Sequence, residues 1–179
     1  MNNVNKRTKD LTKMGILAAI AVVLVTICHF PILPSVPFLE YDPADVPILL
    51  GTFAMGPLQG LLMTAAVSLI QAFLLGGNGI YGALMHFIAT GTYVLVAGFY
   101  YKNHKTKKGA ITALILGVIA WIIVMVIANI FITPIFMGAP REAVVAMLPG
   151  IALFNLIKSS INSFITFILY KRVSGILHK

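Results

Sequence analysis

The sequence predicts an all-α membrane protein, a bundle of six transmembrane helices forming one domain over residues 1–179. Three observations predict it. Hydrophobic residues make up 59% of the chain and charged residues only 10%, with a mean hydropathy of +0.97. A soluble domain is about a quarter charged, so too little polar surface remains here to cover a globule in water. The apolar residues fall in runs near the roughly 20 residues a spanning helix needs. The basic residues, which give a formal charge of +8, sit in short clusters between those runs. That is the placement of topology determinants rather than of a nucleic-acid-binding face.

Taken in order, the first span covers about 11–29, after a basic N-terminal segment. The segment is retained as a span, because Cys28-His29-Phe30-Pro31 is a poor small-residue cleavage site. The next stretch, FPILPSVPFLEYDPADVP, holds Pro31, Pro34, Pro37, Pro43 and Pro47. Proline lacks an amide donor and fixes φ, so this is ordered, extended loop. A short apolar run at about 44–55 ends at Gly56-Pro57 and is read as a short second span. The third span is about 57–75, closed by Gly76-Gly77-Asn78-Gly79, and the fourth is about 80–100. After the basic linker YKNHKTKKG comes the fifth, about 110–136. The loop MGAPREAVVAML then leads to the sixth, about 149–170, and a basic tail.

Charge orients the bundle. Lys6, Arg7, Lys9 and Lys13 precede span 1, Lys102, Lys105, Lys107 and Lys108 separate spans 4 and 5, and Lys171, Arg172 and Lys179 follow span 6. Six crossings bring these clusters to one side, which the positive-inside rule makes cytoplasmic, with both termini there, in the cell membrane. The opposite side carries Glu40, Asp42, Asp45, Arg141 and Glu142.

In lipid the informative residues are the polar ones. Lys158 lies nine residues into span 6, about 13 Å below its outer end and near mid-membrane. A lysine there costs on the order of 3 kcal/mol and calls for a polar cavity or a partner. Asn155 and Asn162 share its helix face by spacings of three and four, with Ser159 flanking. Asn129 in span 5 and His86 in span 4 reach a depth similar to that of Asn155, about 10 Å, and Thr90 extends the face of His86. A single such asparagine is as readily an interhelical fastener. Coincident depth on three spans points to a ligand pocket.

The residues show no apparatus for catalysis: no Ser-His-Asp grouping, no HExxH, no paired intramembrane carboxylates. No P-loop is present, since GPLQGLL lacks the Gly-Lys-Ser/Thr ending, so ATP-driven transport requires ATPase subunits from elsewhere. His29, His104 and His178 form no metal-ligand spacing with His86. No cofactor is expected. Cys28, the one cysteine, cannot form an intrachain disulfide. Amides, imidazole, hydroxyls and one ammonium among apolar and aromatic walls (Phe38, Tyr41, Phe131, Phe154) suit a neutral or mildly anionic ligand with a flat apolar body. Gly15 and Ala19 in span 1 form a small-xxx-small pair with Ala18 and Ala21 beside it. Such a pair lets another helix approach closely.

Four blocks carry a resemblance over almost the whole chain: LTKMGILAAIAVVL, FLEYDPADVPILLGTFAMGPLQG, GALMHFIATGTYV, and LFNLIKSSI followed by ILYKRV. The sequence resembles the substrate-binding S components of energy-coupling factor (ECF) transporters, in their riboflavin-specific branch. The resemblance implies a six-helix bundle that binds riboflavin near the extracellular side, capped by the loop after helix 1 and lined by helices 4 to 6. It places family ligand contacts on Asn129, Asn155 and Lys158, with Leu39 and Glu40 in the capping loop. Gly15 and Ala19 match the family's small-residue motif, with glycine where alanine is usual. They would contact a transmembrane coupling subunit carrying two cytoplasmic ATPases. His86 stands where relatives suggest asparagine. Two alternatives remain open: an S component for another vitamin, such as a flavin nucleotide or pantothenate, and an intramembrane enzyme using His86 and Lys158.

Overall fold

The computed structural model describes residues 3–74 and 79–177. Among these, six helices follow one another: α1 (Asn3–Ile27), α2 (Asp45–Met55), α3 (Pro57–Leu74), α4 (Gly79–Asn103), α5 (Lys107–Met137) and α6 (Arg141–Leu177). Four of them, α1, α4, α5 and α6, are long and apolar enough to cross a membrane, and α2 and α3 are shorter apolar helices. The expected end of the third span at Leu75, the turn residues Gly76-Gly77-Asn78, and His178 and Lys179 lie outside the described residues.

Helix α2 is the hub. It packs against α1, α3, α4 and α6, and every residue from Asp45 to Phe53 is buried. A helix apolar all round belongs in an interior, which explains why so short a segment is so hydrophobic. Its Ile48, Leu49 and Phe53 join Leu17 and Ala21 of α1, Met63 of α3, Tyr93 and Val94 of α4, and Trp121 of α5 in one core. The large residues left exposed, such as Ile20, Leu62, Ile123 and Phe164, stand on the outer surfaces of α1, α3, α5 and α6, as lipid-facing residues should.

Two close approaches depend on glycine. Gly117 leaves room for the Tyr93 ring, and a side chain at Gly98 would meet Thr52 Cγ2 at 2.7 Å and the Pro57 Cα at 3.0 Å. Because Pro57 is backbone there, Gly98→Ala should destabilise the protein by about 1–3 kcal/mol. The melting temperature in detergent should fall by several degrees, and an unchanged melt would show that the α2–α3 junction yields.

Several boundaries differ from the sequence reading: α1 begins at Asn3 rather than near residue 11, and α6 runs on to Leu177 through the stretch read as a basic tail. The basic linker shrinks to residues 104–106, because α4 runs to Asn103 and Thr106 caps α5 by accepting the Gly109 N–H at 2.9 Å. Helix α6 begins at Arg141 rather than at Pro149, so most of the stretch read as the loop MGAPREAVVAML is helical. Proline removes one backbone hydrogen bond here without ending the helix. Tertiary packing outweighs that loss: Val144, Ile151 and Phe154 of α6 form a small core with Val36 of the loop after α1. That loop is ordered, as its prolines predict. It carries two short antiparallel strands, β1 (Phe30–Pro31) and β2 (Glu40–Tyr41), pairing Phe30 with Tyr41 and Pro31 with Glu40.

Candidate ligand-binding site

A cavity of about 450 Å³ opens beneath this loop, within the range of small-molecule sites. Its walls come from the C-terminal end of α1 (Val25, Thr26), the loop after it (His29, Phe38, Leu39, Glu40, Asp42), α3 (Gln71, Ala72), α4 (Gly79 to Ala89), α5 (Trp121, Met125) and α6 (Phe154, Asn155, Lys158).

The polar stripe the spacing predicts on α6 is buried, with Asn155, Lys158 and Asn162 2%, 7% and 0% exposed, and its first two members line the cavity. Lys158 does not wait unpaired. Its ammonium donates to Asp42 Oδ2 at 2.6 Å, and Asp42 Oδ1 accepts the Ala44 N–H at 3.0 Å. Asn162 ties the loop down, donating to the Asp42 carbonyl at 3.1 Å and to Asp45 Oδ2 at 2.8 Å. Its own carbonyl accepts the Tyr41 hydroxyl at 3.0 Å. Burial, chiefly, holds the Tyr41 phenol above its ordinary pKa, so it keeps the proton it donates. Asp45, fully buried, also accepts from Thr90 Oγ1 at 2.7 Å.

These contacts correct the sequence reading on carboxylates. It counts Asp42 and Asp45 as outer-side charges and leaves the partner of Lys158 unnamed. Both instead turn inward, because a lysine buried on α6 and a fully buried helix N-terminus on α2 each take an anion. A signal is present in the sequence: a mid-membrane lysine needs a counter-charge, and the chain has only five acidic residues, three of them in this loop segment.

The other predicted site residues divide. Leu39, Glu40 and His86 line the cavity. Tyr41 stands behind it as a strut to Asn162. Asn129, by contrast, is absent from the lining: its amide donates to the Met125 carbonyl at 2.7 Å, its Oδ1 accepts from Thr133 at 2.7 Å, and it is 0% exposed. Its depth is explained by bonds within α5. Phe131, expected as a wall, is 58% exposed and lies beneath the Arg141 guanidinium at 4.8 Å. Phe38 and Phe154 do form walls, joined by Trp121, which the sequence reading passes over.

The fold also assembles a Ser-His-Asp grouping that no sequence motif announces. Ser68 Oγ lies 2.6 Å from His86 Nδ1, and His86 Nε2 lies 3.5 Å from Asp45 Oδ1. Ser68 is 2% exposed and does not line the cavity, so its oxygen cannot reach a bound ester or amide. Gln71 Nε2 is buried without a hydrogen-bond partner, while His86 Nε2 faces Asp45, and both residues line the cavity. An orphan atom of that kind is rare in a finished interior. No cluster of three metal-ligating side chains occurs among the described residues. Gly15 and Ala19 lie on an exposed face of α1, and a Cβ added at Gly15 would meet nothing within 4 Å.

A capped cavity in a helical membrane bundle is the architecture of a substrate-binding subunit. Residues 9–170 match the family model for the ECF transporter, substrate-specific component, and the chain belongs to that family of multi-pass membrane proteins. It is similar to the riboflavin transporter RibU of Staphylococcus aureus (strain TCH60), at 33% identity over 97% of this chain and 95% of that protein. It is also similar to the riboflavin transporter FmnP of Bacillus subtilis (strain 168), at 33% identity over 85% of each chain. Among solved structures, an S component of a bacterial ECF transporter superposes with a TM-score of 0.84 and 34% identity, covering 97% of this chain and 99% of that one.

Proposed function

We propose that this protein captures riboflavin at the extracellular side of the cell membrane for uptake by an ATP-driven ECF importer. The observation that carries the reading is the pairing of an aromatic-walled cavity, built from Trp121, Phe154 and Phe38, with a polar edge of Asn155 and Lys158. A flat heterocycle fits the first and its hydrogen-bonding edge the second. Full-length similarity to two riboflavin transporters supports the choice of ligand. Charge favours a neutral flavin over its phosphate: Asp42 already neutralises Lys158, and Glu40 adds a further negative charge to the lining. A flavin phosphate would therefore enter against like charge.

In this reading all six helices cross the membrane, both termini are cytoplasmic, and one domain does the binding. Asn155, Lys158, Leu39, Glu40 and His86 touch the ligand, and Tyr41 braces the cap. The exposed Gly15–Ala19 face of α1 receives a transmembrane coupling subunit that carries two cytoplasmic ATPases. The chain itself performs no chemistry and holds no cofactor, in keeping with the buried position of Ser68.

Titration of riboflavin into purified protein should quench flavin fluorescence, and Trp121 emission with it. Trp121 is the only tryptophan in the chain, so its signal reports the site directly. Saturation near one equivalent at about 1 μM protein is expected for a Kd well below that concentration. Flavin mononucleotide and pantothenate should compete weakly or not at all. A protein indifferent to riboflavin, or one that prefers either competitor, would sink the assignment.

A further inference from the structure

We propose that Trp121 determines ligand specificity through Asn155, acting as the residue that fixes which way the asparagine amide points. The proposal rests on the riboflavin reading and refines it: the ligand is recognised by an edge that carries a carbonyl beside an N–H.

Two partners of opposite and fixed polarity hold the amide. The indole N–H can only donate, and it donates to Asn155 Oδ1 at 2.7 Å. The Ile151 backbone carbonyl can only accept, and it accepts from Asn155 Nδ2 at 2.8 Å. A flipped amide would set an N–H against the indole N–H and an oxygen against a carbonyl, losing both bonds in a site where Asn155 is 2% exposed. The orientation is therefore specified twice. What remains unspent is one amide hydrogen on Nδ2 and one lone pair on Oδ1, the complement of a C(=O)–N–H edge.

Trp121 is itself held. It is 2% exposed and meets Tyr93 edge to face at 5.7 Å and 86°. Tyr93 is hydrogen-bonded to Ser163 and packs against the gap left by Gly117, one turn before Trp121 on α5. The indole N–H, committed to Asn155, is not a ligand contact. Trp121 is thus a positioning residue with two separable parts: a flat wall, which any aromatic ring of similar shape supplies, and a donor, which only the indole nitrogen supplies.

The test separates those parts. Because Trp121 is the sole tryptophan, growth on benzothienylalanine replaces its N–H by sulfur with little change of shape, and Trp121→Phe gives a second, encoded variant. Riboflavin affinity, read by flavin quenching, should fall about 10-fold in either. In an Asn155→Ala background the benzothienylalanine replacement, which keeps the wall, should cost almost nothing, since the group through which the indole N–H acts is gone. A second readout uses riboflavin methylated at its ring imide nitrogen. Wild type should discriminate against it, and loss of the indole N–H should shrink that discrimination several-fold. Equal losses with and without the Asn155→Ala change, unchanged affinity without the N–H, or undiminished discrimination would each overturn the proposal. Wild-type protein that ignores riboflavin altogether would instead overturn the functional reading beneath it, which keeps the two failures distinct.

Discussion

Lys158→Met should abolish measurable riboflavin binding at micromolar protein and also lower the melting temperature. Two losses combine. The ligand loses a donor that is fixed in direction by its bond to Asp42. The Asp42 carboxylate, 11% exposed, is left with the Ala44 N–H as its remaining side-chain hydrogen bond. Removing one partner of a buried ion pair costs on the order of 3–5 kcal/mol, because the other charge stays behind uncompensated. A double variant, Lys158→Met with Asp42→Asn, separates the two losses. Removing the stranded charge should restore most of the melting temperature while leaving riboflavin unbound. If the single variant binds as wild type does, Lys158 belongs to the scaffold and not to the site. If the double variant melts no higher than the single, the stranded-charge account fails.

Asp45→Ala should destabilise the protein about as much as the loss of Lys158. Asp45 is 0% exposed and accepts from Thr90 on α4 and Asn162 on α6, so one carboxylate joins three helices. Its loss orphans a hydroxyl and an amide hydrogen in a buried site, at about 1–3 kcal/mol each, and opens a small void besides. A fall in melting temperature of roughly 10 °C is expected at 2–4 °C per kcal/mol, measured in detergent without ligand. Asp45→Asn should recover part of it, since its oxygen can accept from Asn162 while its nitrogen donates to the Thr90 hydroxyl. A melt within 2 °C of wild type for the alanine variant, on the same approximate scale, would mean that the network relaxes around the gap.

Both predictions turn on carboxylates that hydropathy and charge counting assign to the outer surface. The stripe of Asn155, Lys158 and Asn162 is legible in the sequence because helical spacing is a local property: three and four residues apart is one face whatever the helix packs against. Whether a polar atom on that face is free or already bonded depends on a neighbour distant in the chain. Asn129 shares the depth of Asn155, yet its amide closes on Met125 and Thr133 of its own helix, whereas Asn155 meets Trp121 across an interface. Depth ranks them together, and geometry parts them.

Hydropathy, proline chemistry and residue spacing are enough to establish the helical membrane architecture, the order of the six apolar segments and the ordered loop after the first. Each of these acts over at most a few turns of chain, so each can be read without knowing the fold. Three outcomes needed the packed helices: α6 runs through Pro149 to reach the loop, Asp42 and Asp45 fold inward to Lys158 and Asn162, and Ser68, His86 and Asp45 meet. They depend on pairing between groups as many as 120 positions apart, because a buried charge or amide takes whichever partner the bundle brings within about 3 Å.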